Sequence, residues 1–232
     1  MAKHGAEYLG SASKRRLDVL GACALGLVLS PLVVGSAVAT CVDRRSLNPF
    51  FRQQRIGREG MALKTLKFQT IDSKYDNEEE ILGTFDPRAT KVAQFMRRYG
   101  LDELPQLASV LGGSMSLVGF RPLLEKSLND YEEADDMLFD KWMPYFELSK
   151  PGLVSSSSLY RHTVVGPVTP EVCRRSMELD IKDAELASLS HDARLLAHTP
   201  LGLIRANLAV DPDTIPTLST ATEMPGAPQL TE

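Results

Sequence analysis

Hydrophobic positions follow different patterns along this chain, and each pattern predicts a different element. From Val19 to Val42 the run VLGACALGLVLSPLVVGSAVATCV holds 24 residues without a charge. A straight helix of that length reaches roughly 36 Å, enough for a hydrocarbon core of ~30 Å. Ser30-Pro31 interrupts it, and proline bends a helix because it lacks an N–H and clashes with the preceding turn. Basic residues flank both ends: Lys14, Arg15 and Arg16 before, Arg44 and Arg45 after. Such flanks favour the cytoplasmic side. A spanning helix leaves one cluster on the wrong side. A re-entrant hairpin broken at Ser30-Pro31 returns both to one face, with arms of roughly 18 Å, about half the core. The residues leave both forms open. A signal peptide ending at Ala37-Val38-Ala39 fits less well, because the run exceeds the usual ~7–15 residues and carries a central proline.

Further along, residues 46–71 alternate around Leu63, Leu66 and Phe68, with Gly57 and Gly60 as turn residues. They predict a β-hairpin entered by a loop, basic through Arg52, Arg55, Arg58, Lys64 and Lys67. Residues 72–90 are polar and acidic, Glu78-Glu79-Glu80 included, and predict a surface loop with a short helix. A short helix over 92–100 stops at Gly100. A second covers 101–113, with Asp102 near its N-cap and Pro105 in its first turn. Residues 114–122 predict a strand or extended loop, and 123–148 one or two amphipathic helices. Trp142, Tyr145 and Phe146 suit a membrane interface or the core, with the core preferred. Ser155–Ser158 reads as a flexible loop and 171–198 as helix. Leu201–Leu208 reads as a short surface helix. The chain thus divides into a tail (1–13), a membrane segment (14–45), a cytoplasmic catalytic domain (46–208) and a disordered tail (209–232). The fold class is α+β, mostly helical, with surface amphipathic helices and a small β element.

Composition narrows the partners. Hydrophobic residues make up 43% and charged residues 24%, which excludes a disordered or collagen-like chain. A mean hydropathy of −0.13 excludes a multi-span protein. The net charge of −4 argues against nucleic acid as a partner. Cys23, Cys41 and Cys173 form neither a disulfide framework nor a CxxC site, so a reducing compartment is the simpler reading. The histidines show no metal-ligand spacing.

Asp102-Glu103 is the best candidate for chemistry. Adjacent acids at a helix start compensate the helix dipole, and that alone accounts for many such pairs. The same position suits an ionised carboxylate that attacks phosphorus, beside a glutamate that holds a divalent metal. Arg88, Arg97, Arg98 and Arg121 surround the pair in sequence, and arginine forks match phosphate oxygens.

The order of motifs supports the second reading. KRRLD (14–18), SP (30–31), FFRQQRIGREG (50–60), KFQTI (67–71), DPRAT (86–90), RRYGLDELPQL (97–107), GSMSLVGFRP (113–122) and KPGL (150–153) succeed one another. Over residues 14–205 the chain resembles the bacterial sugar transferases, the monotopic phosphoglycosyl transferases. That resemblance implies a monotopic protein with a re-entrant membrane helix at the cytoplasmic face of a bacterial inner membrane. It implies transfer of a sugar-1-phosphate from a UDP-sugar to polyprenyl (undecaprenyl) phosphate, with release of UMP, to initiate glycan assembly. Asp102 is then the nucleophile of a covalent phosphosugar intermediate, and Asp102 and Glu103 bind magnesium. Arg97 and Arg121 contact diphosphate oxygens, joined by Arg88 and Lys150. Membrane lipid is a further partner, and downstream glycosyltransferases and a second copy of the chain are compatible ones.

The chain departs from the family pattern at Gln69, Ser114, Phe120 and Lys150, which stand for arginine, an acid, proline and arginine, and the tract Val154–Ser158 lacks Thr-Gly. These departures leave room for a catalytically inactive relative acting as a membrane-bound assembly partner. The intact dyad and Arg121 favour an active enzyme. A secreted or single-pass binding protein is the remaining alternative.

Overall fold

Pro31 removes the N–H that would otherwise bond the carbonyl of Leu27, and Ser30 repairs the loss: its hydroxyl donates to Leu27 O at 2.8 Å. The chain breaks there into two helices, α2 (Ala12–Val28) and α3 (Ser30–Arg44), bent by 64°. In this computed structural model, which describes residues 3–72, 81–82, 86, 88–164 and 166–209, no single helix is long and apolar enough to cross a membrane. The bent pair passes that test only together. Leu20, Leu27, Val28, Val34, Val38 and Val42 are exposed along it.

Two of the three residues that α2 buries are charged. Lys14, Asp18 and Ala22 lie one turn apart on its inner face. Lys14 Nζ bonds Asp18 (3.2 Å), Asp192 (2.7 Å) and Val118 O (2.9 Å). Asp18 accepts from the Ser116 hydroxyl and the Leu117 amide. The KRRLD motif is therefore a clamp between α2 and the strand β4 (Ser116–Val118). Before it, the segment read as a tail contains α1 (Lys3–Leu9).

The predicted hairpin is present: β1 (Phe50–Ile56) pairs antiparallel with β2 (Ala62–Phe68). Two more short sheets lie among the described residues. β3 (Ile81–Leu82) pairs antiparallel with β6 (Gly166–Pro167), and β4 pairs parallel with β5 (Gly152–Val154). The β4–β5 approach requires glycine, since a Cβ on Gly152 would lie 2.1 Å from Gly119 N.

Helix α4 (Lys91–Arg98) runs to Gly100, whose left-handed φ of 66° turns the chain as expected. The next stretch differs from a single helix. Leu101–Gln106 is a 3-10 turn, and only Leu107–Gly112 is α-helical (α5). Pro105 has no N–H to give and disfavours α geometry at Leu104. α6 (Glu125–Ala134) and α7 (Asp136–Leu148) pack on α9 (Pro170–Glu185). Between them lies an aromatic core of Phe120, Tyr131, Trp142 and Phe146, with Trp142 only 1% exposed. Its rings belong to the core and not to an interface.

Ser155–Ser158 is not a flexible loop. Ser155 caps a short helix, α8 (Ser156–Arg161), and distant acids hold it. Asp183 accepts from the amide and hydroxyl of Ser156, and Asp180 accepts from Ser157 and from Trp142 Nε1. The long helical segment beyond is divided: α9 ends at Glu185, and α10 (Leu189–Ala209) runs through the expected surface helix in one piece. The fold is thus mostly helical α+β. The acidic run at 78–80 and the chain after 209 lie outside the described residues.

Candidate active site

Asp102 and Glu103 stand on the 3-10 turn, which packs against β2, α3 and α4. Lys67, on β2, brings its Nζ to 2.6 Å from Glu103 Oε1. Arg121, in the segment after β4, places Nη1 3.4 Å from the same oxygen. Arg55, buried on β1, donates to Pro122 O at 2.7 Å and so ties the hairpin to the Arg121 segment. Arg97, in the last turn of α4, lies within electrostatic range of Asp102.

The two carboxylates differ sharply. Burial pushes Glu103 up, but Lys67, Arg121 and Arg55 outweigh it and hold its carboxyl well below the usual carboxylate range. Asp102 goes the other way. Burial and then the Glu103 charge push it up, and Lys67, Arg97 and Arg121 pull back without reversing the shift. The long helix N-terminus expected to ionise Asp102 is absent, and the neighbouring cations that act on it instead leave its carboxyl above the ordinary aspartate value.

Arg88 and Arg97 share an anchor. Asp86 is fully buried and accepts from Arg88 Nε (2.9 Å), Nη2 (2.8 Å) and backbone N (3.0 Å). Arg97 Nη2 lies 3.9 Å from Asp86 Oδ2. Arg88 thus faces Asp86, and Arg97 lies between Asp86 and the carboxylate pair. Lys150 is elsewhere: it lines a cavity at the foot of α2 that neither Asp102 nor Glu103 lines. Ser30 and Pro31 form the bend between α2 and α3.

Sequence reasoning missed Lys67, Arg55 and His162 as site residues. His162 ends α8 and feels the charges of Glu103, Arg121, Arg97 and Lys67. Burial pushes its imidazole down to about 4, against the pull of Glu103, so it is neutral at pH 7. Lys67 had a signal, its place in the KFQTI motif. His162 had none, because its helix depends on partners far along the chain.

Among the described residues no three His, Cys, Asp or Glu side chains cluster as a metal site. Two adjacent carboxylates are nevertheless a donor set that fits magnesium, which binds through one or two carboxylates and takes its other ligands from water and phosphate. The departures from the family pattern lie outside the Asp102–Glu103 contacts. Phe120 stacks in the aromatic core, the Ser114 hydroxyl donates to Ser109 O at the end of α5, and the backbone N–H of Gln69 donates to Pro49 O.

The model of the bacterial sugar transferase family matches residues 9–206. The chain is 35% identical over 170 residues to a UDP-galactose-lipid carrier transferase of Erwinia amylovora, covering 66% of this chain and 32% of that protein. It is 34% identical over 165 residues to the exopolysaccharide production protein ExoY of Rhizobium meliloti, covering 62% and 67%. It is 31% identical over 201 residues to a UDP-glucose:undecaprenyl-phosphate glucose-1-phosphate transferase of Caulobacter vibrioides, covering 84% and 71%. The chain therefore spans about a third of the Erwinia protein's length and about two thirds of the other two. With the family model matching most of its length, this chain belongs to the bacterial sugar transferase family, a family of phosphoglycosyl transferases.

Proposed function

We propose that this protein transfers a sugar-1-phosphate from a UDP-sugar to polyprenyl phosphate at the cytoplasmic face of a bacterial inner membrane. The observation that carries this reading is the grouping of buried Asp102 and half-buried Glu103 with Lys67, Arg97 and Arg121 in one site. Cations around this carboxylate pair suit a reaction in which one carboxylate meets an anionic diphosphate, because they offset the repulsion between like charges.

In the first step an Asp102 carboxylate oxygen attacks the β-phosphorus of the UDP-sugar. The bond from that phosphorus to the bridging oxygen breaks, and UMP leaves with the electron pair. In the second step a phosphate oxygen of the polyprenyl phosphate attacks the same phosphorus and displaces Asp102. The products are a polyprenyl diphosphate sugar and the regenerated carboxylate. Arg97 and Arg121 orient the diphosphate, and Lys67 keeps Glu103 ionised. Neutral His162 offers a hydrogen bond to the substrate without adding charge. Magnesium held by Asp102 and Glu103 would neutralise charge on the phosphate oxygens.

The bent α2–α3 pair reads as a re-entrant hairpin: its break is built by Ser30 and Pro31, its apolar residues are exposed, and both ends carry basic residues. That geometry would set the site at the membrane surface, where a lipid-linked acceptor and a soluble nucleotide sugar meet. The test is UMP release from a panel of UDP-sugars with purified protein, magnesium and polyprenyl phosphate. Release with at least one sugar, dependent on Asp102, is the expected result. Folded protein that releases UMP from none would favour an assembly partner without catalysis.

A further inference from the structure

A cavity of about 150 Å³ opens at the foot of α2, and its wall carries Lys14, Arg15, Arg58 and Lys150 against one carboxylate, Asp18. On the same measure this is roughly tenfold what one water needs, room for a tetrahedral oxyanion with some of its hydration. Its basic residues are committed to different degrees. Lys14 is neutralised by Asp18 and Asp192. Arg15 donates at 2.7 Å to the carbonyls of Val110 and Leu111, which position its guanidinium without cancelling its charge. Exposed Arg58 pairs with its neighbour Glu59 at 3.0 Å. Lys150 is half-buried and makes no hydrogen bond or ion pair among the described residues. A partly desolvated ammonium without a counter-charge is unfavourable, and a bound anion removes that cost. The backbone there is fixed, since a Cβ on Gly119 would lie 2.3 Å from Lys150 O.

We propose that this cavity is a second anion site, separate from the Asp102–Glu103 pair, that binds a phosphate group between Lys150, Arg58 and Arg15. Because the cavity adjoins the first arm of the bent apolar pair, that phosphate comes either from a phospholipid headgroup or from solution. Only the headgroup source rests on the membrane reading above.

The test uses the full-length protein, the Lys150→Ala and Arg58→Ala variants, and Lys141→Ala as a control on the exposed face of α7. In the first arm, inorganic phosphate replaces chloride at constant ionic strength and the thermal midpoint is followed. In the second, binding is compared between vesicles of phosphatidylcholine alone and vesicles with added phosphatidylglycerol. A saturable phosphate-dependent rise that weakens about tenfold in both cavity variants, and not in the control, identifies a site for soluble phosphate. A preference for phosphatidylglycerol that falls about fivefold in both, without a phosphate effect on the midpoint, identifies a headgroup site. If both cavity variants match wild type in both arms, or the control loses as much as they do, there is no such site. UMP release by the same wild-type preparation reports separately on the transfer reaction, so the two readings fail independently.

Discussion

Lys67 Nζ lies 2.6 Å from Glu103 Oε1, and this contact helps set which of two neighbouring carboxylates is harder to protonate. With Lys67 and Arg121 on Glu103, its negative charge persists and pushes Asp102 up. Activity that needs an Asp102 carboxylate therefore falls on acidification at a pH above the ordinary aspartate value of about 4. Lys67→Met removes a cation that lowers both carboxyls, so that acidic limb moves to higher pH. We expect kcat/KM to fall by roughly 10²-fold, the scale of losing one preorganised charged donor. A pH–rate profile on both proteins checks this. A drop with an unmoved limb would mean that Lys67 acts on substrate alone.

His162 is pushed down to about 4 and is neutral at working pH. Its contribution is a hydrogen bond, so His162→Gln retains more activity than His162→Ala, and neither substitution abolishes a limb near pH 6.5. Steady-state kinetics from pH 5.5 to about 8 checks this, with reference to an unperturbed histidine. A wild-type limb near pH 6.5 that both variants lose would show that the imidazole titrates during turnover.

Asp180 is buried under Trp142, and burial pushes its carboxyl up to about 7 although Ser157 and Trp142 bond it. The folded chain thus holds this proton to about pH 7, while the unfolded chain releases it near 4. Unfolding between those values releases a proton, so stability falls as pH rises across the window and stays low above it. The full effect is at most about 4 kcal/mol. Asp180→Asn removes the titration and flattens the dependence. Denaturant unfolding at pH 5 and about pH 8 measures it. Equal pH slopes in the two proteins would contradict it.

The Ser30-Pro31 break predicts one topology for both ends of the bent pair. With the native cysteines replaced, Gly10→Cys and Leu47→Cys should label only from the cytoplasmic side in intact cells. Pro31→Leu restores an N–H for the Leu27 carbonyl and should straighten the pair, exposing one of the two sites to the other side. Periplasmic labelling of either site with Pro31 in place would exclude the re-entrant hairpin.

What could be read from the sequence was local. The β1–β2 hairpin showed in its alternation, the end of α4 in Gly100, the bend in Ser30-Pro31, and Asp102, Glu103, Arg97 and Arg121 in one short stretch and its motif partner. What could not be read depended on distant partners. Ser155–Ser158 looks flexible because the acids that hold α8, Asp180 and Asp183, lie 23 to 27 residues away. Lys67 meets Glu103 across 36 residues, and Lys14 meets Asp192 across 178. Nor does the motif order that groups Arg88 and Lys150 with the phosphate ligands say which partners they meet: the fold sets Arg88 beside Asp86 and Lys150 on the cavity at the foot of α2.

Whether Asp102 carries the sugar phosphate is read from the intact mass of the protein after mixing with UDP-sugar and magnesium in the absence of polyprenyl phosphate. Release of at most one UMP per site is expected, with a mass increase of one sugar phosphate less one water. That increase should map to Asp102, be lost in Asp102→Asn and be discharged by adding polyprenyl phosphate. Full turnover by Asp102→Asn, or UMP release by wild type without any adduct on Asp102, would contradict it.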